Sequence, residues 1–181
     1  MPRYAVLLRG VNVGTGNRVP MAELRALLEA LDCTGVRTLL NSGNAVFASP
    51  ARAAPALAKQ IRTALVERLG VDVPVVVVPA DEMAAIAKGN TLANATSDPS
   101  RLLVVFPLEP GALGKLEPVR ALVRAPEQFA VGKHAAYLWC PNGSLQSEAG
   151  AALLGKPGRA FTTRNWATVG KLVALLEASA S

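Results

Sequence analysis

The chain has 181 residues, 51% of them hydrophobic and 18% charged, with a formal net charge of +6. This apolar, weakly charged composition excludes a disordered chain. One His and two Cys, Cys33 and Cys140, exclude a disulfide framework and a recognisable metal site, so neither metal nor cofactor is expected.

In chain order, Tyr4 to Leu8 is a nearly continuous apolar run, the mark of a strand buried on both faces. A loop rich in Gly and Asn follows. Pro20 then opens a helix whose Met21, Leu24, Leu27, Leu28 and Leu31 recur at helical spacing, with Gly35 closing it. Val36 to Leu40 and Ala45 to Ala48 read as strands joined by the tight turn Asn41-Ser42-Gly43-Asn44. Pro55 opens a second helix with Leu57, Ile61, Leu65 and Leu69 four apart, ended by Gly70. Val73 to Val78 is a strand interrupted by Pro74, and Asp81 caps a short helix through Ala87.

Residues 89–100 are polar and turn-rich and read as a linker. Beyond them, 101–107 is a second buried strand, and Gly111 to Val123 a helix broken or delayed by Pro118. Gln128 to Val131 and Ala135 to Cys140 form a hairpin, Leu145 to Leu154 a helix, and Arg159 to Thr162 a short strand. Trp166, Val169, Leu172, Val173 and Leu176 share one face of the last helix. The order βαββαβ therefore occurs twice. It predicts an α+β fold of two ferredoxin-like halves, residues 1–90 and 91–181, each an antiparallel sheet covered by helices. The halves share almost no residues at matching positions, so the duplication is one of structure.

The basic excess is spread evenly: residues 1–90 hold 10 basic and 7 acidic side chains, residues 91–181 hold 9 and 6. Such a balance is compatible with a polyanionic partner but shows no basic tail. No apolar run reaches the roughly 18 residues of a membrane span, and the N-terminus lacks the pattern of a signal peptide. A soluble cytoplasmic protein with reduced thiols and no membrane partner is expected.

Three polar islands interrupt the apolar pattern. The loop after the first strand carries Arg9, Gly10, Asn12, Gly14, Gly16, Asn17 and Arg18. It fails both nucleotide fingerprints. The spacing G-x-x-x-x-G-K-[ST] is absent, and Gly14-Thr15-Gly16-Asn17-Arg18-Val19 departs from G-x-G-x-x-G at its last position. It still sets neutral and cationic donors near a helix N-terminus, which suits an anion. The second island is the turn Ser42-Gly43-Asn44. The third is Thr162-Thr163-Arg164-Asn165-Trp166, where Thr163 is expected to cap the last helix, with Arg164 and Asn165 in its first turn and Trp166 in the core.

LLRGVNVGTGNRVPM, LNSGNAVF and TTRNWATVGKL, in this order and at these separations, resemble the bacterial family called domain of unknown function 1697. The resemblance implies a duplicated α+β fold and no established activity. The motifs map onto Arg9, Gly10, Asn12, Gly14, Asn17, Met21, then Ser42, Gly43, Asn44, then Thr163, Arg164, Asn165, Trp166 and Thr168. Where that family often has an Asn-Pro-Phe-like stretch, this chain has Asn90-Thr91-Leu92.

The islands contain no His, Cys or carboxylate to move a proton or attack a substrate. Three readings stand side by side. The first is a cleft of Arg9, Asn12, Gly14, Asn17, Arg18, Ser42, Gly43, Asn44, Thr163, Arg164 and Asn165 binding an anionic small molecule or nucleic acid: a phosphate, nucleotide or RNA. The second is a hydrolase or transferase using the same donors to stabilise an oxyanion or phosphoryl group. The third is a purely structural network in which Asn, Ser and Arg satisfy loop carbonyls.

Overall fold

The structure is a computed structural model and describes residues 1–50 and 53–178. By contact the chain divides into two units, Met1–Met83 with Leu172–Ser181, and Ala84–Lys171.

In the first unit, β1 (Arg3–Leu8), α1 (Met21–Ala30), β2 (Thr34–Leu39), β3 (Asn44–Ala48), α2 (Ala54–Leu69) and β4 (Val75–Pro79) follow one another. All strand pairs are antiparallel and their spatial order is β2-β3-β1-β4, the arrangement expected of a ferredoxin-like βαββαβ unit. The period of two along β1 sends Tyr4, Val6 and Leu8 into one core with Leu24, Leu27 and Leu28 of α1 and Leu57, Ile61 and Leu65 of α2. Ala5 and Leu7, on the other face, are equally buried. Both faces of β1 are thus closed, as its unbroken apolar run predicts. Tyr4 sits opposite Phe47, and their rings stack with centroids 5.7 Å apart, a cross-strand pair that helps fix the register.

The second unit repeats the plan with β5 (Leu102–Pro107), α4 (Glu117–Arg120), β6 (Gln128–Val131), β7 (Ala136–Trp139), α5 (Glu148–Leu154) and β8 (Phe161–Asn165). Its strand order is β6-β7-β5-β8, again all antiparallel. Leu103 and Val105 of β5 pack with Val119 of α4, Leu153 of α5 and Phe161 of β8. A helix follows the last strand of each set: α3 (Ala80–Lys88) after β4 and α6 (Trp166–Ala178) after β8. No helix among the described residues is long and apolar enough to cross a membrane.

Several boundaries differ from those expected, each for a local reason. Helix α1 does not run to Gly35. It ends at Ala30, where Asp32 takes the left-handed conformation (φ 63°) and the Asp32 and Cys33 N–H groups bond back to Glu29 and Leu28. Gly35 instead lies in β2, beside a register shift between Thr34 and Arg37. Strand β4 starts at Val75 rather than Val73, since Pro74 has no N–H to give the ladder. Pro79 closes that strand opposite Tyr4. Asp81 lies one residue inside α3, where its Oδ1 accepts the Glu82 N–H at 2.9 Å.

The segment 111–123 is a 3-10 turn (Ala112–Lys115) followed by α4, with Pro118 in the first turn of that helix. Leu145 lies in a 3-10 turn, and α5 begins only after Ser147, whose Oγ accepts the Gly150 N–H. The last strand extends over Phe161–Asn165 rather than ending at Thr162, because Val104 and Leu103 pair with Arg164 and Asn165.

Candidate functional site

The first two islands meet. Strand β1 is joined to α1 by residues 9–20, twelve in all, whereas the equivalent strand β5 reaches its 3-10 turn after only four, 108–111. Connections of this kind are usually two to six residues long, and longer ones that keep a defined shape tend to be functional. The loop keeps its shape by a left-handed backbone at Gly10, Asn12, Gly14 and Asn17 (φ 69°, 56°, 62° and 51°). Asn is the side-chain-bearing residue that best tolerates that region.

Asn12 is the loop's clamp. Its Nδ2 donates to the Val19 carbonyl at 2.8 Å and to the Asn41 carbonyl at 2.7 Å, while its Oδ1 accepts the Val19 N–H at 2.9 Å. Its own N–H reaches the Asn17 carbonyl at 3.1 Å. One amide therefore closes the base of the loop and ties it to the turn that carries the second island. Asn17 Nδ2 adds a 3.3 Å bond to the Gly10 carbonyl.

The turn is pressed against the strand end from the other side. The Leu8 N–H donates to the Gly43 carbonyl at 2.9 Å. Gly43 has φ 84°, and a Cβ there would lie 2.7 Å from Val11 Cγ2 and 2.8 Å from Leu8 Cβ. Only glycine fits this approach. Asn44 is fully buried and donates to the Leu39 carbonyl at 3.1 Å and to Ser42 Oγ at 2.9 Å. Asn12, Gly43 and Asn44 thus spend their capacity on shape.

What remains on the surface is a rim. Val13, Gly14, Thr15, Gly16, Asn17 and Arg18 are exposed, and Arg9 is partly so. None of the Val13, Gly14 and Thr15 N–H groups donates to another described residue. Helix α1 begins directly after the loop, with Pro20 as its N-cap and no side chain on its first N–H groups. Left-handed and right-handed residues in succession make concavities lined by N–H groups, and a helix N-terminus adds partial positive charge.

The third island lies in the second unit, on β8. Arg164 is 8% exposed, and its Nη1 donates to Thr162 Oγ1 and to the Thr163 carbonyl, both at 2.8 Å. Burial pushes its pKa down to about 10. Thr163 does not cap the last helix. It is a strand residue paired with Val105, and Asn165 is the cap. Asn165 Oδ1 accepts the Thr168 N–H at 2.9 Å and the Thr168 hydroxyl at 3.0 Å. Trp166, expected in the core, is half-buried at the start of α6.

The rim and its clamp hold no carboxylate, imidazole or thiol. Ser42 receives a bond from the Asn44 amide, which cannot take a proton from it. No group of His, Cys, Asp and Glu able to hold a metal occurs among the described residues. Cys33 and Cys140 are buried and form no disulfide, and burial pushes the Cys140 thiol up. Sequence reasoning found the side chains but missed the Asn41, Val19 and Pro74 carbonyls that they and the Arg9 N–H use. A backbone acceptor leaves no mark in residue identity.

The profile of the family described as "Protein of unknown function (DUF1697)" matches residues 1–137, which include the first two islands but not the third. Among solved structures, one described as conserved bacterial protein SP0830 from Streptococcus pneumoniae is similar over 97% of this chain and 98% of that one, with 27% identity and a TM-score of 0.81. No curated protein matches the sequence.

Proposed function

The chain belongs to the family described as "Protein of unknown function (DUF1697)", and from that premise we propose that it binds a phosphate-bearing ligand, a nucleotide or RNA segment, on the exposed rim of the 9–18 loop. The observation that carries this reading is the clamped loop itself. It has twice or more the length its topology requires, it is held open by four left-handed residues, and it presents N–H groups between two guanidinium groups. Arg9, Gly14, Asn17 and Arg18 touch the ligand. Asn12, Ser42, Gly43 and Asn44 hold the loop in place from below. The net charge of +6 favours the approach of an anion. Thr163, Arg164 and Asn165 serve the second unit by packing β8 and capping α6.

Calorimetric titration with inorganic phosphate, nucleoside monophosphates and a short single-stranded RNA tests the reading. Binding that weakens with salt and falls about tenfold or more in Arg9→Ala plus Arg18→Ala is expected, since each charge-assisted bond is worth about 1.5–3 kcal/mol. Binding that is absent for all three ligands, or indifferent to the double variant, overturns it.

A further inference from the structure

Strand β1 has a second end, away from the loop, and a cavity of about 480 Å³ lies there. Its walls include Arg3 and Tyr4 of β1, Ala53 and Ala54 at the start of α2, and Ala80 and Asp81 at the start of α3. Arg3 Nη1 is buried and has no hydrogen-bond partner. None of the ion pairs among the described residues involves Arg3. A buried guanidinium N–H without an acceptor costs free energy that an anion would recover. Two helices start at this wall, and their positive ends reinforce the same preference.

Asp81 makes no ion pair with Arg3 among the described residues, and its Oδ1 accepts the Glu82 N–H at 2.9 Å. Its charge does limit what can enter. One guanidinium and one carboxylate in the lining of the same cavity favour a monoanion over a phosphate dianion. The remaining surface, from Pro2, Tyr4, Ala53, Ala54 and Pro79, is mostly apolar.

We propose that this cavity binds a small organic carboxylate, with the carboxylate on the Arg3 guanidinium and a short apolar body against Tyr4 and the two helix starts. The site is separate from the loop at the other end of β1 and stands or falls independently of it.

The test is amide and guanidinium NMR of the full chain, titrated with acetate, hexanoate and inorganic phosphate. Hexanoate is expected to shift the Arg3 side-chain N–H and the Ala54 and Ala80 amides saturably, and to bind tighter than acetate or phosphate. Arg3→Gln is expected to weaken hexanoate about tenfold or more, the loss of one charge-assisted bond. Arg9→Ala plus Arg18→Ala is expected to leave it unchanged. The absence of saturable shifts at these groups in the unmodified protein overturns the proposal whether or not Arg3→Gln folds. So does phosphate binding tighter than hexanoate, or hexanoate affinity that survives Arg3→Gln in a folded variant.

Discussion

Replacing Asn12 separates the two things this residue does. Its amide makes three side-chain hydrogen bonds, to the Val19 carbonyl, the Asn41 carbonyl and the Val19 N–H. Its backbone sits at φ 56°. In Asn12→Ala, the fully buried Val19 loses a partner at both its N–H and its carbonyl. A buried polar group left unsatisfied costs about 1–3 kcal/mol. The Asn41 carbonyl lies at an exposed site and is largely rehydrated. An alanine in the left-handed region adds about 1 kcal/mol. The expected total is at least about 3 kcal/mol, a large fraction of a typical domain's stability.

Asn12→Gly removes the same hydrogen bonds but not the backbone conformation, so it should be about 1 kcal/mol more stable than Asn12→Ala. Asn12→Asp keeps the acceptor for Val19 N–H and turns both donors into an oxygen facing two carbonyls. At neutral pH it should do no better than alanine. Urea unfolding followed by fluorescence and circular dichroism measures all three, read as midpoint shifts at unchanged slope. A loss under about 1 kcal/mol for Asn12→Ala, or equal stability of the alanine and glycine variants, would refute the clamp.

Three further outcomes are expected. Gly43→Ala should destabilise by at least about 2 kcal/mol, because the new Cβ meets Val11 and Leu8 at a left-handed position. The thermal midpoint measures it, and a neutral result would mean that the turn lifts off the strand freely. Asn165→Ala should cost about 1 kcal/mol and lower helical ellipticity, whereas Thr163→Val should leave the helix signal intact. The reverse pattern would restore Thr163 as the cap.

For Arg164, burial pushes the folded pKa down to about 10, well below its ordinary value. The unfolded chain therefore binds the extra proton between those values. The group's contribution to stability rises only as pH climbs through that window and is flat below it. The stability difference between the native protein and Arg164→Met should accordingly be constant from about pH 5 to 9. A slope in that range, from urea midpoints, would show that another titrating group acts on Arg164.

Much of the fold was legible because burial and periodicity coincide. The run Tyr4–Leu8 is apolar at every position and is closed on both faces. Gly70 follows Leu57, Ile61, Leu65 and Leu69 and takes the left-handed cap of α2. The expected last strand ends early because Thr163, Arg164 and Asn165 read as the cap and first turn of the last helix. Pairing with the buried β5 recruits them into the sheet, a tertiary effect that local composition does not carry. Asp32 ends α1 two residues past its last helical position, before the glycine that advertised the stop.

The first two islands were recognisable as polar groups out of place. Their division into a clamp and a rim was not, since it depends on which carbonyls each amide reaches. Arg3 escaped notice because an arginine at the start of a strand is ordinary until its Nη1 proves buried.

The prolines on either side of Val75–Val78 bear on how the chain behaves when it is not folded. Four consecutive valines are among the most aggregation-prone residues a chain can expose, and β4 lies at the margin of its sheet. Cross-β stacking draws on uninterrupted segments of about six or seven residues. Pro74 and Pro79 leave a window of only four, so the same residues that fix where the strand begins and ends also keep it from templating a fibril during synthesis or refolding.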